Sequence, residues 1–273
     1  MEIYRNDRSP RNATGYSERR ERMKVLSLGW GVQSFTLACM AAAGEIEMPD
    51  VAIHADTLHE FSGTYEFRKL FTPWLEERGV SIEVVIASHE KANIVDKWGG
   101  MQLPAYTTTP KGAGRIRRQC TYEWKIRPMR QWVQKHRNGE PVEMWIGIST
   151  DEGTRMRDSD VKYITNRYPL IEKRMNREDC KDWLVEHNIP VPPRSACVFC
   201  PFHSTQEWRY IKASTPDWQK AIEVDMAIRK ARPPYDLFVH PSRKPLEDVD
   251  FRTMEEKGQM RLWDEECTGI CGV

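Results

Sequence analysis

The sequence predicts an α/β protein: a parallel sheet with helices on both faces, completed by a helical, loop-rich C-terminal cap. Three features predict it. Strand-length apolar runs alternate with helical segments from residue 23 to residue 147, an order that calls for right-handed crossovers between parallel strands. A glycine-containing stretch, SLGWGVQS at 27–34, joins the first run to the first helical segment. From residue 174 onward helical patterns dominate.

Taken in order, residues 23–28 form a buried strand, and 34–43 a helix entered from the glycine stretch. A second strand covers 51–54, with Asp56 and Thr57 just past its end. Over 63–79, Phe67, Leu70, Phe71, Trp74 and Leu75 recur at helical spacing, so that face is expected to pack on the sheet. IEVVI at 82–86 is a third strand. Residues 98–118 carry two adjacent glycines, Pro104, Pro110 and a threonine run, the composition of a long loop. A helix is expected over 125–136, with Trp124 and Trp132 as packing residues, and a further strand over 143–147 before the chain turns polar through 157. Helices follow at 177–187, 205–213 and 216–230. This divides the chain into a solvated, mobile lead-in (1–22), an α/β unit (23–175) and a cap (176–273) integral to the same domain.

The chain has 273 residues, 40% of them hydrophobic, enough for a substantial core. With 41 basic and 40 acidic side chains the net charge is +1, so no global field recruits nucleic acid or an anionic membrane, although a local basic patch stays open. The longest apolar stretch, 35–43, is interrupted by Thr36 and is too short to span a bilayer, so no membrane partner is expected. The first 22 residues mix arginines with Glu2, Asp7, Glu18 and Glu21 and lack the apolar centre of a secretory signal, which predicts a cytoplasmic location. Asn12-Ala-Thr14 is then a chance match to a glycosylation pattern. Seven cysteines in a reducing compartment bind metal or perform chemistry more often than they form structural disulfides.

A glycine turn between a strand and a helix presents backbone N–H groups and the positive helix end to an anion. Gly29 and Gly31 allow close backbone approach, Ser27 and Ser34 offer hydroxyls, and Gln33 an amide. The stretch has no lysine, so it is not the GxxxxGK pattern of common nucleotide hydrolases. By itself it fits a structural turn as well as a phosphate cradle.

Other segments supply the context. The stretch resembles the PP-loop of the adenine nucleotide alpha hydrolase superfamily, and in particular its PAPS/APS reductase family. DTLHEFSGTYEFR at 56–68 looks like that family's DTG…ET segment, and CTYEWKIRP at 120–128 is similar to its cysteine-then-K-V-x-P segment. Tyr168-Pro-Leu-Ile171 and Asn188-Ile-Pro190 follow its order of elements, ACVFCP at 196–201 matches its CxxC, and Glu266-Cys267 its terminal EC. The resemblance implies a Rossmann-like sheet of the HUP type and an adenine nucleotide (ATP, APS or PAPS, with Mg as a further candidate). The implied nucleotide site comprises Ser27, Gly29, Gly31, Gln33, Ser34, Asp56, Thr57, Gly147 and Arg155.

Cys197 and Cys200 can reach one metal from a single turn, and Cys120 joins them only if the fold brings it there. In the APS-reductase branch a Cys-Cys pair and the later CxxC hold a 4Fe-4S cluster; here the first member of that pair is Gln119. Resemblance therefore implies a 4Fe-4S cluster on Cys120, Cys197 and Cys200 with an external fourth ligand. Zinc completed by His203 is the second candidate, and two inert buried thiols the third. Cys39 and Cys180 lie on apolar helical faces and read as core. By the same resemblance Cys267 is the nucleophile, with Cys271 as a resolving thiol and a thioredoxin- or glutaredoxin-like reductant as partner. A second metal pair or an inert tail is the alternative.

One departure matters. The reductases carry adjacent arginines in a GxRR segment, where this chain has Gly147-Ile-Ser-Thr150, with Arg155 nearest to the family's later arginine. Lys111, Arg115, Arg117 and Arg118, or Arg243 and Lys244, are candidate replacements, and otherwise solvated charges. Trp124 and Trp208 are candidates for base stacking, against a core role. Two reactions remain: thiol-dependent reduction of an adenylyl sulfate to sulfite, and adenylation of a nucleobase or nucleic acid for iron–sulfur-dependent thiolation. A third reading is a catalytically silent nucleotide-binding module.

Overall fold

The computed structural model describes residues 22–87, 103–253 and 256–257. Five strands, β1 (Met23–Ser27), β2 (Val51–Asp56), β3 (Ile82–Ile86), β6 (Val142–Trp145) and β7 (Ile164–Arg167), form one sheet in the order β3-β2-β1-β6-β7. Every neighbouring pair is parallel. The chain builds outward from β1 to β3, then crosses to β6 and β7 on the other side. This is the Rossmann-like, doubly wound order, and it leaves a crevice at the carboxyl ends of β1 and β6 where the direction of winding reverses.

Period-two alternation sends successive side chains to opposite faces. Leu26, Ala52 and Trp145 join α1 (Val32–Ala42), α2 (Ser62–Glu76) and α5 (Arg177–Glu186) in one core, with α4 (Pro169–Glu172) at its edge. Val25, Val51, Ile53, Val142 and Met144 pack on the other face against Met129, Trp132 and Val133 of α3 (Arg127–His136). Both faces of the central strands are covered, which is why they read as near-continuous apolar runs. A third core gathers Trp208 and Ile211 of α6 (Thr205–Ala213) and Ala221, Val224 and Ile228 of α7 (Thr215–Ile228) around Phe61, Trp124 and Phe199. Trp124 and Trp208 are thus core residues. Cys39 and Cys180 are buried in the first core, as expected.

Two expectations are corrected, and one strand is added. The stretch expected as a loop holds a hairpin, β4 (Tyr106–Thr109) and β5 (Gly112–Arg115), in an antiparallel sheet with β8 (Leu237–Phe238). Its threonines are strand formers, Pro110 sits in the turn, and Gly112 takes the left-handed φ of 108°. β7 went unread because ITNR is an edge strand with little apolar content. Leu70 is 71% exposed: Thr64, Phe67, Phe71 and Leu75 already fill the inward face of α2. The N-terminal segment and the tail carrying Cys267 and Cys271 lie outside the described residues. Among the described residues no helix is long and apolar enough to cross a membrane.

Candidate active site

Between β1 and α1 the chain turns at Trp30, whose φ is 57° and whose ring is fully buried beside Phe35 and His54. Left-handed backbone is unusual for so large a residue, and burial of the indole holds it there. Ser34 closes the loop internally: the Gly29 N–H donates to Ser34 Oγ at 3.1 Å, and Ser34 Oγ donates to the Gly31 carbonyl at 3.3 Å. Gly31 caps α1 with no side-chain hydrogen bond, so the first helical N–H groups stay available to an anion.

The loop after β6 meets this turn at the reversal of winding. A Cβ on Gly147 would lie 2.8 Å from the Ser34 nitrogen and 3.0 Å from its Cα, so the approach requires glycine. Gln33 is held from several sides. Its Nε2 donates to Ser149 Oγ and to Glu152 Oε2, each at 3.3 Å, and its Oε1 accepts from Arg177 Nη1 at 3.0 Å.

One cavity of about 760 Å³ runs from this crevice to the cysteines. Gly31, Gln33, Thr57, Gly147 and Arg155 line it, and so do Cys120, Cys197 and Cys200. Ser27, Gly29, Ser34 and Asp56, all expected at the nucleotide, are not in its lining, Gly29 and Ser34 being engaged with each other inside the loop. Ser27 Oγ faces Met129 Sδ at 3.7 Å. Asp56 is locked at the end of β2 by Arg68 at 2.7 Å, the Tyr65 hydroxyl at 3.0 Å and the Leu58 N–H at 2.8 Å. Burial raises the Asp56 pKa, but these three donors outweigh it and hold the carboxyl below the usual range.

The thiols reach the cavity by different routes. Cys120 immediately precedes a π-helical turn, Thr121–Ile126, which leads into α3. Cys197 forms an isolated bridge with Glu60, the residue that follows the Thr57-Leu-His segment, and its sulfur lies 3.4 Å from Thr57 Oγ1. Burial pushes the Cys197 thiol up to about 12, opposed by Lys125 and Thr57, and raises Cys200 as well. Beneath them is a buried polar group that sequence reasoning missed. Glu60, 3% exposed, accepts from Lys125 Nζ at 3.1 Å and from Ser195 Oγ at 2.7 Å. Burial opposes the Lys125 charge, but Glu60 and the sulfurs of Cys197 and Cys120 outweigh it and raise its pKa.

A single zinc ion gathers its donors within about 2.3 Å of one point. Among the described residues no three His, Cys, Asp or Glu side chains are so arranged. His203, the expected fourth donor, is outside the cavity lining and donates Nε2–H to the Cys197 carbonyl at 2.8 Å, with its pKa lowered by burial to about 4. An iron–sulfur cluster spreads its thiolates over separate irons and uses cysteine donors, and the three cysteines that line this cavity are donors of that type.

The cavity is also strongly basic. Arg118, Lys125, Arg155, Arg177 and Arg194 line it, against Glu152 as the carboxylate of the lining. Arg155 pairs with Glu152 at its rim and Arg194 with Glu207. Arg118 and Arg177 form no ion pair among the described residues, and Arg177 makes its side-chain hydrogen bond to Gln33. Arg177 and Arg194 escaped the sequence reading because they come from the cap; the signal available was an arginine at the start of a helix and another just before the CxxC.

No family model matches the chain, and no curated protein matches it. Among solved structures it is similar to a phosphoadenylyl-sulfate (PAPS) reductase from Candida auris in a phosphate complex, at 12% identity and a TM-score of 0.45, covering 67% of this chain and 83% of that one. It is also similar to the U34-tRNA thiolase NcsA from Methanococcus maripaludis with its 4Fe-4S cluster, at 12% identity and a TM-score of 0.42, covering 78% of this chain and 74% of that one. The fold assignment rests on the strand order described above.

Proposed function

We propose that this chain is a PP-loop enzyme of the PAPS reductase-like superfamily that binds an adenine nucleotide at the reversal point of its sheet and performs sulfur chemistry beside it. One observation carries the reading: Gly31 and Gln33 of the glycine loop, Gly147 beside them and the three thiols line the same cavity. The α1 N-terminus and Arg177 would take the nucleotide's anionic groups. Arg118 and Arg194 would offset further negative charge where the family's adjacent arginines are missing.

The first reaction is thiol-dependent reduction of an adenylyl sulfate, APS or PAPS. The Cys267 thiolate attacks the sulfonate sulfur; an S–S bond forms, the sulfur–oxygen bond to phosphate breaks, and the adenine nucleotide leaves with that electron pair. A dithiol of the thioredoxin or glutaredoxin type, or Cys271 followed by that dithiol, then displaces sulfite and is itself oxidised to a disulfide. Lys125 and the arginines lining the cavity stabilise the departing charge. Cys120, Cys197 and Cys200 would hold an iron–sulfur cluster, which supplies redox-active, sulfur-bearing chemistry when bound.

A second reading, adenylation of a nucleobase or nucleic acid by ATP followed by thiolation, is favoured by the donor set. With Gln119 beside Cys120, a cluster on three thiols would keep one iron without a protein thiolate. The two separate in one experiment. Anaerobically purified protein is incubated with adenylyl sulfate and a dithiol, or with ATP, and sulfite, AMP and pyrophosphate are measured. Sulfite that vanishes in Cys267→Ser supports reduction, pyrophosphate without sulfite supports adenylation, and neither product overturns both.

A further inference from the structure

The hairpin at the mouth of the cavity concentrates charge in a chain that is otherwise balanced. Lys111, Arg115, Arg117 and Arg118 fall within eight residues of a chain whose net charge is +1. All four are exposed, and among the described residues none forms an ion pair. No acidic residue occurs between Leu103 and Tyr122 to offset them. Unpaired cations crowded on a short arm repel one another, and they lower their energy by meeting a polyanion.

An aromatic ring sits among them. Phe202, just past the CxxC, is 39% exposed, with the Arg115 guanidinium 5.1 Å and the Arg118 guanidinium 5.6 Å from its centroid. Phe202 and Arg118 also line the cavity that holds the three thiols. The arm is held to this wall: the Tyr106 hydroxyl donates to the Pro201 carbonyl at 3.4 Å, Arg243 Nε donates to the Thr107 carbonyl at 2.9 Å, and β4 pairs with β8. Cations that track a phosphate chain, beside an exposed ring that can stack a base, are the two components of single-strand recognition. Here the strand that carries the arm and the wall that carries the ring are tethered to each other before binding.

We infer that the β4–β5 hairpin and Phe202 form a docking surface for an unpaired nucleic-acid strand, with phosphates on Lys111, Arg115 and Arg117 and one unstacked base on Phe202, directed into the thiol-lined cavity. Duplex is disfavoured, since its bases are already stacked and its edges do not reach a ring at a cavity mouth. The inference deepens the adenylation and thiolation reading and rests on it for its chemical consequence. The binding itself is testable without it.

The test uses the full chain and a fluorescein-labelled 12-nucleotide oligouridylate, an oligothymidylate and a duplex of equal length, followed by anisotropy at several salt concentrations. ATP binding is measured by calorimetry on the same preparations. The single strands are expected to bind at least about tenfold more tightly than the duplex, and a preference between the first two identifies RNA or DNA as the source. Lys111→Gln/Arg115→Gln/Arg117→Gln should flatten the slope of log affinity against log salt by about 2, on roughly 0.7 per phosphate contact. Phe202→Ala should weaken single-strand binding about tenfold at an unchanged salt slope, and Phe202→Tyr should restore it. The inference fails if no oligonucleotide binds below about 100 µM, the weak end of non-specific association. It fails equally if duplex binds as well as single strands, if both variants bind like the parent, or if polyglutamate competes as well as the oligonucleotides, which would point to an acidic protein. Intact ATP binding with no oligonucleotide binding removes the surface and leaves the nucleotide site; the converse removes the nucleotide site and leaves the surface.

Discussion

Arg177, the first residue of α5, donates from Nη1 to Oε1 of Gln33 in the first turn of α1 at 3.0 Å, across the crevice where the sheet reverses its winding. The guanidinium forms no ion pair among the described residues; Asp151, which accepts from the Arg177 backbone N–H, is the acidic group that feels its charge. Arg177→Ala is expected to weaken binding of ATP or adenylyl sulfate about tenfold, the low end of a charge-assisted hydrogen bond because the site is partly open. Calorimetric titration at low and high salt would check this, with the smaller loss at high salt.

Gly147 has no room for a side chain against Ser34. Gly147→Ala is expected to destabilise the fold by about 1–3 kcal/mol, since the clash is with backbone rather than with a movable side-chain end. It should also reduce nucleotide affinity, because the displaced partner is the helix N-terminus itself. Urea melts followed by circular dichroism report the first effect, and nucleotide titration the second.

Cys120→Ser, Cys197→Ser and Cys200→Ser are each expected to lower the iron and acid-labile sulfide recovered on anaerobic purification, while Cys39→Ala, buried in the first core, leaves both unchanged. Burial holds the Cys197 thiol at about 12, so binding must displace protons. Iron loading should therefore be stronger at pH 8.5 than at pH 6.5. Equal loading at the two values would count against thiolate ligation.

Arg68→Ala leaves Asp56 buried without its cation. The expected loss at neutral pH is about 3 kcal/mol. In the parent the folded-state pKa is depressed, so its stabilisation is present above the unfolded value and is lost as pH falls through the folded one. In the variant only the Tyr65 hydroxyl and the Leu58 N–H oppose burial, so the pKa of Asp56 rises relative to the parent and the deficit shrinks as pH is lowered toward 4. Denaturant melts at pH 7 and pH 4.5 would show the gap narrowing.

Periodicity made most of the sheet legible, because β1, β2 and β3 are short apolar runs separated by amphipathic helices, and that pattern depends only on neighbouring residues. β7 was illegible for the converse reason: ITNR has a single apolar residue, whereas β3, the other edge strand, is the apolar run IEVVI. The hairpin was hidden by Pro104, Pro110 and the adjacent glycines at 99–100, which gave the whole stretch the composition of a loop. Gly31, Gln33 and the CxxC could be singled out as chemistry, and the glycine stretch by itself fitted a plain turn equally well. What the amino-acid order determined is therefore the local repertoire: which segments are strand or helix, and which residue types are available for phosphate and sulfur. What only the tertiary structure decided is their meeting. The winding order carries the loop after β6 onto the glycine turn, and the packing of Trp124 and Phe199 in the cap core turns Cys120 toward the same cavity as Cys197 and Cys200. Contacts between residues so far apart in the chain arise from burial of shared apolar surface, and no short window of sequence contains that information.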